Sequence, residues 1–111
     1  MARNPFQWFP FYATDWLSDA RVRIIPLESR GAYIHLLATQ WVEGAIPSDD
    51  FRLARLLGIE NSEWMEISHE VRQFFVDAGP GKLKNERLDR EREKQLRHHK
   101  RLSRPEKLAQ R

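Results

Sequence analysis

A chain of 111 residues without cysteine can form one domain with a modest core, and it excludes a disulfide framework and a thiolate zinc site. Its apolar runs are too short to cross a bilayer, and its N-terminus lacks the layout of a secretion signal, so we expect a cytoplasmic protein. The net charge of +3 is unevenly divided, because residues 1–81 carry seven Lys and Arg against eleven Asp and Glu, whereas residues 82–111 carry twelve against five.

The first segment, residues 5–20, is rich in aromatic side chains. Pro5 and Pro10 oppose a continuous helix before Asp15, which predicts an extended aromatic lead-in followed by a helical turn from Asp15 to Asp19. Such a cluster could stack nucleic-acid bases, but only Arg3 precedes it as a cation. Packing onto the body is therefore the favoured interpretation for Phe6, Trp8, Phe9, Phe11, Tyr12 and Trp16.

Residues 27–42 are predicted to form the first long helix, which ends at Gly44. Its apolar positions recur at intervals of three and four, the spacing of a buried face: Tyr33, Ile34, Leu37, Ala38, Trp41 and Val42. Gly31 is unfavourable inside a helix by up to about 1 kcal/mol relative to alanine, so we expect a close backbone contact there, with the aromatic lead-in as the candidate partner.

Residues 49–75 are predicted to form a helix-turn-helix, preceded by a short strand at residues 45–47. Ser48, Asp49 and Asp50 supply caps for the second helix, in which Leu53, Leu56 and Leu57 form the buried stripe. Ala54 is placed where the helices cross, and Gly58 where the chain turns with a positive φ. Ser62 is the expected cap of the third helix, whose inward residues are Trp64, Ile67, Val71 and Phe74.

An apolar run from Phe75, a Gly/Pro turn at residues 78–81 and a second short run to Lys84 predict a β-hairpin. A charged helix follows to about Ser103, with little to bury, and we expect fraying beyond Pro105. The predicted fold is mainly α with a small β-hairpin. It is a winged helix-turn-helix of residues 1–84, with an N-terminal aromatic extension, and a basic C-terminal helix and tail of residues 85–111.

These residues together resemble a known family over residues 8–95. The resemblance is carried by Phe9-Pro10-Phe11-Tyr12, Asp15-Trp16-Leu17-Ser18-Asp19, Glu28, Arg30-Gly31-Ala32-Tyr33, Leu36-Leu37, Trp41 and Leu53-Ala54-Arg55-Leu56-Leu57-Gly58. The chain resembles the DUF1376, or YdaU-like, family of phage and prophage proteins. The resemblance implies a winged-helix fold like that of replication initiators, and a place in prophage replication or primosome-type proteins.

Motifs for catalysis or metal binding are incomplete. His69-Glu70 begins like a metalloprotease motif, but Gln73 stands where the second histidine ligand belongs. His98 and His99 are adjacent, so they cannot share one helix face as metal ligands four residues apart do. The turn before Lys82 lacks the spacing of a phosphate-binding loop. We therefore expect no enzyme, no catalytic residue, no metal and no cofactor.

The third helix is poorly suited to reading the DNA major groove. Its outward positions are mostly acidic, with Glu60 just before it and Glu63, Glu66 and Glu70 along it. Carboxylates facing phosphates oppose the electrostatic attraction that supplies most non-specific affinity. We therefore expect any DNA contact to be made to phosphates, with little sequence preference, mainly by the wing and the tail helix, with further cations available on the second helix. The cations concerned are Lys82, Lys84, Arg87, Arg90, Arg97, Lys100, Arg101, Arg104, Arg52 and Arg55.

Two alternatives stay open. The basic tail could be a solvated helix of no special function rather than a site for a polyanion. The acidic face formed by Glu60, Glu63, Glu66 and Glu70 could instead dock a protein. Such a protein-protein interaction module would organise a replisome or inhibit a host or defence nucleoprotein complex by occupying its nucleic-acid site.

Overall fold

The computed structural model describes residues 5–102, and in that part the protein is mainly helical with a small three-stranded antiparallel sheet. The elements in chain order are α1 (Ala13–Ser18), α2 (Ala20–Arg23), α3 (Leu27–Glu43), β1 (Ile46–Pro47), α4 (Asp50–Leu57), α5 (Asn61–Arg72), β2 (Val76–Asp77), β3 (Lys82–Lys84) and α6 (Glu86–Leu102). The order of strands in the sheet is β1-β3-β2, so the last strand is central. The predicted frayed tail lies outside the described residues.

The predicted hairpin is confirmed, and the strand predicted at residues 45–47 joins it. Ile46 of β1 lies opposite Leu83, and Val76 of β2 lies opposite Lys84. The turn between β2 and β3 closes because the backbone N–H of Ala78 donates to the Lys82 carbonyl at 2.9 Å. The sheet therefore brings the segment after α3 beside the segment that leads into α6.

The helix pair α4 and α5 forms as predicted around Ala54 and Gly58. Asp49 caps α4, since its carboxylate accepts from the Arg52 backbone N–H at 2.9 Å. Gly58 ends α4 with a φ of 76°, a conformation that an L side chain adopts only with strain. Ala54 is buried, and its carbonyl accepts from the Ile59 N–H at 3.1 Å as the chain turns. Local sequence chemistry thus fixes this connection.

The predicted cap of the third helix was wrong by two residues. Helix α5 begins at Asn61, so Ser62 lies inside its first turn. Glu60 takes the capping position, and its backbone N–H donates to the Glu63 carboxylate at 2.8 Å. This pairing is a capping box, in which a carboxylate three residues into the helix satisfies the N–H of the residue before it. Glu60 and Glu63 together therefore cap α5, a role that was predicted for Ser62 alone.

The long helix α3 presents a different buried face from the one predicted. Tyr33, Leu37 and Trp41 are buried as expected, but Ala38 is exposed and Val42 is 49% exposed. The interior positions are offset from the predicted stripe by one residue, and they are Ser29, Ala32, Tyr33, Leu36, Leu37, Gln40 and Trp41. The offset arises because a buried serine and a buried glutamine belong to this face, and hydrophobic periodicity cannot identify them.

The aromatic lead-in packs against the body, although not at the position expected. A side chain at Gly31 would meet no atom within 4 Å, so the predicted close backbone contact there is wrong. Phe6 instead meets Trp41 edge-on with ring centroids 5.6 Å apart, and Phe9 lies 5.9 Å from the same ring. Trp8 is 74% exposed, so packing accounts for only part of the cluster.

A column of stacked groups ties α1 and α2 to the rest of the molecule. Trp16 stacks on Tyr33 at 5.3 Å, Tyr33 stacks on Phe74 at 4.0 Å, and the Arg21 guanidinium lies over Phe74 at 4.8 Å. Burial raises the pKa of the Tyr33 hydroxyl.

The first helix, α1, begins at Ala13 and not at Asp15 as predicted. Pro10 lies three residues before Ala13 and therefore does not obstruct the helix.

A pair of amide side chains joins α3 to the start of α6. Gln40 is fully buried; its Nε2 donates to the Asn85 carbonyl at 3.1 Å and its Oε1 accepts from the Asn85 N–H at 2.7 Å. The Asn85 side chain donates to the Phe74 carbonyl at 2.8 Å and accepts from the Leu88 N–H at 3.0 Å. We call this arrangement the Gln40–Asn85 clamp. It links α3, the end of α5 and the first turn of α6.

Helix α6 has more contact with the body than its few leucines suggested. Leu88 is buried, whereas Leu102 is 71% exposed. Between them Arg92 donates from Nε to the Trp41 carbonyl at 2.8 Å, and its guanidinium lies 4.0 Å from the centre of the Phe6 ring. Polar and charged side chains therefore fasten the first half of α6. The division of the chain at residue 84 stays a prediction.

The Gln40–Asn85 clamp predicts a large stability loss for Gln40→Ala. The substitution leaves a buried N–H and a buried carbonyl unpaired and opens a cavity, so the free energy of unfolding should fall by about 2–4 kcal/mol in urea denaturation. Gln73→Ala is the matched control, because Gln73 is exposed and makes only a local hydrogen bond, and it should change stability by no more than about 0.5 kcal/mol. Equal effects of the two substitutions would show that the clamp contributes nothing.

A second polar cluster locks α4 to α5 at their outer ends. The Asp50 carboxylate accepts from Arg72 at 2.6 Å and from the Trp64 indole N–H at 2.8 Å, and Arg72 also donates to the Ser48 carbonyl at 2.6 Å. The Arg72 hydrogen bond, followed by that of Trp64, lowers the pKa of Asp50 below its ordinary value of 3.8. Trp64 is itself fully buried, so the acid orients a core side chain.

The lowered pKa of Asp50 predicts acid sensitivity. The folded state favours the carboxylate, so this contribution is complete above pH 3.8 and is lost as the pH falls through the lower pKa of the folded protein. Thermal unfolding followed by Trp fluorescence should show Tm falling in this acid range. In Asp50→Asn that fall should be shallower than in the wild type. An identical pH profile of the variant would contradict the assignment.

Candidate functional site

The predicted DNA-binding cations fall into separate groups in the structure. On the sheet, Lys82 is exposed at the start of β3, while Lys84 pairs with Asp89 of α6 at 3.1 Å. On α4, Arg52 and Arg55 are both exposed, and the Arg55 guanidinium lies 5.7 Å from the Phe51 ring. Helix α4 packs on α5 and β1, whereas α6 packs on α3, so these cations do not share one helix face. Arg104 lies outside the described residues.

Three arginines form the basic stripe, which we define as Arg90, Arg97 and Arg101. At 100° per residue they lie within about 40° of one another on α6, opposite the side that carries Leu88 and Arg92. All three are exposed, and none has an ion-pair partner among residues 5–102. They span about 16 Å along the helix axis. The basic stripe is therefore a row of exposed positive charges that no ion pair neutralises within residues 5–102.

Charge becomes more one-sided toward the end of α6. From residue 94 to residue 102 the helix has four Lys and Arg, including Lys100, and no Asp or Glu. Residues 86–93 have three Arg against four Asp and Glu, and this part includes Arg92, which donates to the Trp41 carbonyl. The more basic half of α6 also contacts the body, because Gln95 donates to the Pro5 carbonyl at 3.1 Å and Leu96 packs against the core.

One of the predicted cations is already committed within the fold. Arg87 pairs with Asp15 of α1 at 2.8 Å, and its guanidinium lies 4.4 Å from the centre of the Tyr12 ring. Both charged groups are about half exposed, so the pair contributes little to stability. Because Arg87 already interacts with Asp15 and Tyr12, it is a weaker candidate for binding phosphate than the arginines of the basic stripe.

The predicted acidic face is one wall of a cleft between α3 and α5. Glu63 and Glu66 are exposed on α5, and Glu70, which is half-buried, accepts from the buried Ser29 hydroxyl at 2.7 Å. The cleft has a volume of about 680 Å³. We call it the acidic cleft, and it is lined by Pro26, Glu28, Gly31, Ala32, His35, Leu57, Ile59, Glu63, Glu66, Ile67 and Glu70.

Two chemistry-bearing residues of the acidic cleft were missed from the sequence. Glu28 and His35 come from α3 and face the glutamates of α5 across the cleft. Their spacing of seven residues places them on one side of a helix, and this was the available signal. Only the packing of α3 on α5 brings the two acidic rows together, which no pattern within either helix predicts. Glu60 caps α5 and does not line the cleft.

A smaller cavity of about 110 Å³ lies between the aromatic lead-in and α6. Its walls include Trp16, Tyr33, Arg87 and Leu88, so it is largely a gap behind the stacked aromatic column. Within residues 5–102 no group of three or more His, Asp or Glu side chains is placed to hold a metal ion. In the same part of the chain, no helix combines the length and apolarity needed to cross a membrane.

The chain was compared with known proteins. Residues 7–93 match the family described as "Protein of unknown function (DUF1376)". The chain is also similar to the "Uncharacterized protein YdaU" of Escherichia coli (strain K12), with 30% identity over 79 residues, which cover 71% of this chain and 26% of that protein. The chain thus spans about a quarter of the length of this curated relative. No solved structure matches it. The family expected from the sequence motifs is therefore confirmed, and the chain belongs to the DUF1376 family.

Proposed function

We propose that the protein is a winged-helix, DNA-binding protein that contacts phosphates through the basic stripe of α6 and Lys82 of β3. The order of elements supports the fold assignment. Helix α3, strand β1 and the pair α4–α5 are followed by the hairpin β2–β3, with β1 beside β3. In a winged helix-turn-helix, the same order places a hairpin wing directly after the third helix of the core.

The charge distribution favours contact through α6 rather than through α5. In many helix-turn-helix proteins the second helix of the pair enters the major groove. Here that helix exposes Glu63 and Glu66, and phosphates would be repelled by them. The observation that carries the proposal is the basic stripe, because three aligned arginines with no ion-pair partner in the described part of the chain match a polyanionic backbone without requiring a base sequence.

The biological setting follows from the family resemblance. We infer a phage or prophage origin and a role associated with DNA replication in the cytoplasm. The protein would act there without catalysis, by holding DNA for other components. A second candidate, a protein-protein interaction module, is favoured by the acidic cleft, whose apolar floor and acidic rim suit a basic segment of protein.

The basic stripe predicts the salt dependence of DNA binding. Arg90→Gln/Arg97→Gln/Arg101→Gln should weaken binding to short duplex DNA, and it should reduce the slope of log affinity against log salt by about 2.7, since each lost phosphate contact removes about 0.9. Fluorescence anisotropy at several salt concentrations measures both quantities. Random duplexes of one length should bind with similar affinity.

Two control variants separate local charge from net charge. Glu93→Gln neutralises an exposed acid near the basic stripe and should raise affinity, because it removes repulsion of the same phosphates. Arg23→Gln removes an exposed cation from α2 and should leave the salt slope unchanged. A triple variant that binds like the wild type would refute the assigned contact, and equal losses in Arg23→Gln would reduce it to an effect of net charge.

A further inference from the structure

The acidic cleft is a groove with an apolar floor. Ala32 is buried there, and Leu57, Ile59 and Ile67 are partly buried against the core. Its rim carries four carboxylates and one imidazole, and within residues 5–102 no Lys or Arg lines it. Nucleic acid is repelled by such a rim, whereas a cationic segment with an apolar side chain satisfies both the rim and the floor.

Exposed apolar side chains stand close in sequence to residues that line the acidic cleft. Ile24 is exposed and Leu27 is exposed next to Pro26, which lines one end of the acidic cleft. Met65 is half-exposed on α5 beside Glu66. Apolar side chains around a groove of this volume indicate a surface that docks a macromolecule rather than a solvated charged face.

The chain itself carries a segment of the complementary chemistry. The end of α6 has Arg97 and Arg101 on one side and an exposed Leu102 next to them. From residue 94 to residue 102 it has no carboxylate that would be repelled by the cleft. Arg92, the Gln40–Asn85 clamp and Gln95, which donates to the Pro5 carbonyl at 3.1 Å, fasten the helix before Arg97. Arg97, Arg101 and Leu102 come after these contacts and are exposed, and we call this end of the helix the arm.

We propose that the acidic cleft of one molecule binds the basic end of α6 from a second copy of this chain. Arg97 and Arg101 of the second copy pair with Glu28 and Glu66 across the rim, and Leu102 contacts the apolar floor. Because each copy has both the arm and the cleft, reciprocal exchange closes a two-fold dimer, the commonest symmetry of homo-oligomers. The association is electrostatic in part, so it weakens as salt increases.

Glu28 and Glu66 are the most informative rim residues to change. Both are exposed, and neither has a hydrogen-bond or ion-pair partner among residues 5–102. Glu63 and Glu70 are left intact, because Glu63 belongs to the capping box and Glu70 holds Ser29. Changing Glu28 and Glu66 therefore alters the charge of the cleft with little effect on packing, which circular dichroism checks.

The test is a charge-reversal and mixing experiment by sedimentation equilibrium, without nucleic acid. The wild type should show a monomer–dimer equilibrium that weakens from low to high salt. The cleft variant Glu28→Lys/Glu66→Lys and the arm variant Arg97→Glu/Arg101→Glu should each associate about tenfold more weakly or worse. An equimolar mixture should contain a 1:1 heterodimer that neither variant forms alone, because the first supplies an intact arm and the second an intact cleft.

Each outcome decides the proposal. A wild type that stays monomeric up to millimolar concentration at low salt overturns it, as does a mixture that behaves as the sum of its parts. If the wild type is monomeric but binds a basic, leucine-containing helical peptide through Glu28 and Glu66, the occupant is another protein and not a second copy. The association is measured without nucleic acid, so failure of the dimer does not decide the DNA-binding proposal.

Discussion

The arrangement of the molecule depends on the Gln40–Asn85 clamp. A fully buried glutamine has two hydrogen-bonding groups that must be paired, and both are paired to the backbone of one residue. That residue, Asn85, connects β3 to α6, and its side chain caps α6 by accepting from the Leu88 N–H. The clamp therefore sets the direction in which α6 leaves the body. The three arginines of the basic stripe all lie on α6, so the direction of this helix determines where their charges are placed.

Local signals predicted the parts of the fold that are decided locally. Gly58 and Asp49 were correctly assigned because a positive φ and a helix cap each depend on one or two neighbouring residues. The hairpin turn was found for the same reason. The buried face of α3 was offset because Ser29 and Gln40 lie on it, and each is buried only through a partner distant in sequence.

The candidate sites likewise divide into features that helical spacing predicts and features that depend on how the helices pack. The acidic face of α5 and the cations of α6 follow from helical spacing, so the sequence was sufficient for them. The acidic cleft required the packing of α3 on α5, which adds Glu28 and His35. The commitment of Arg87 to Asp15 likewise could not be predicted, because it joins the aromatic lead-in to α6 across most of the chain. The acidic cleft and the basic stripe thus lie on different helices, and this separation is the physical basis of both proposals.

NMR can distinguish contact of DNA with α6 from contact with α5. Backbone amide shifts of the isotopically labelled protein are followed while a short random-sequence duplex is added at low salt. We expect the largest shift changes at Lys82, Arg90, Arg97 and Arg101, and none at Glu63 and Glu66. Shift changes centred on α5, without any change in α6, would rule out the proposed contact through α6.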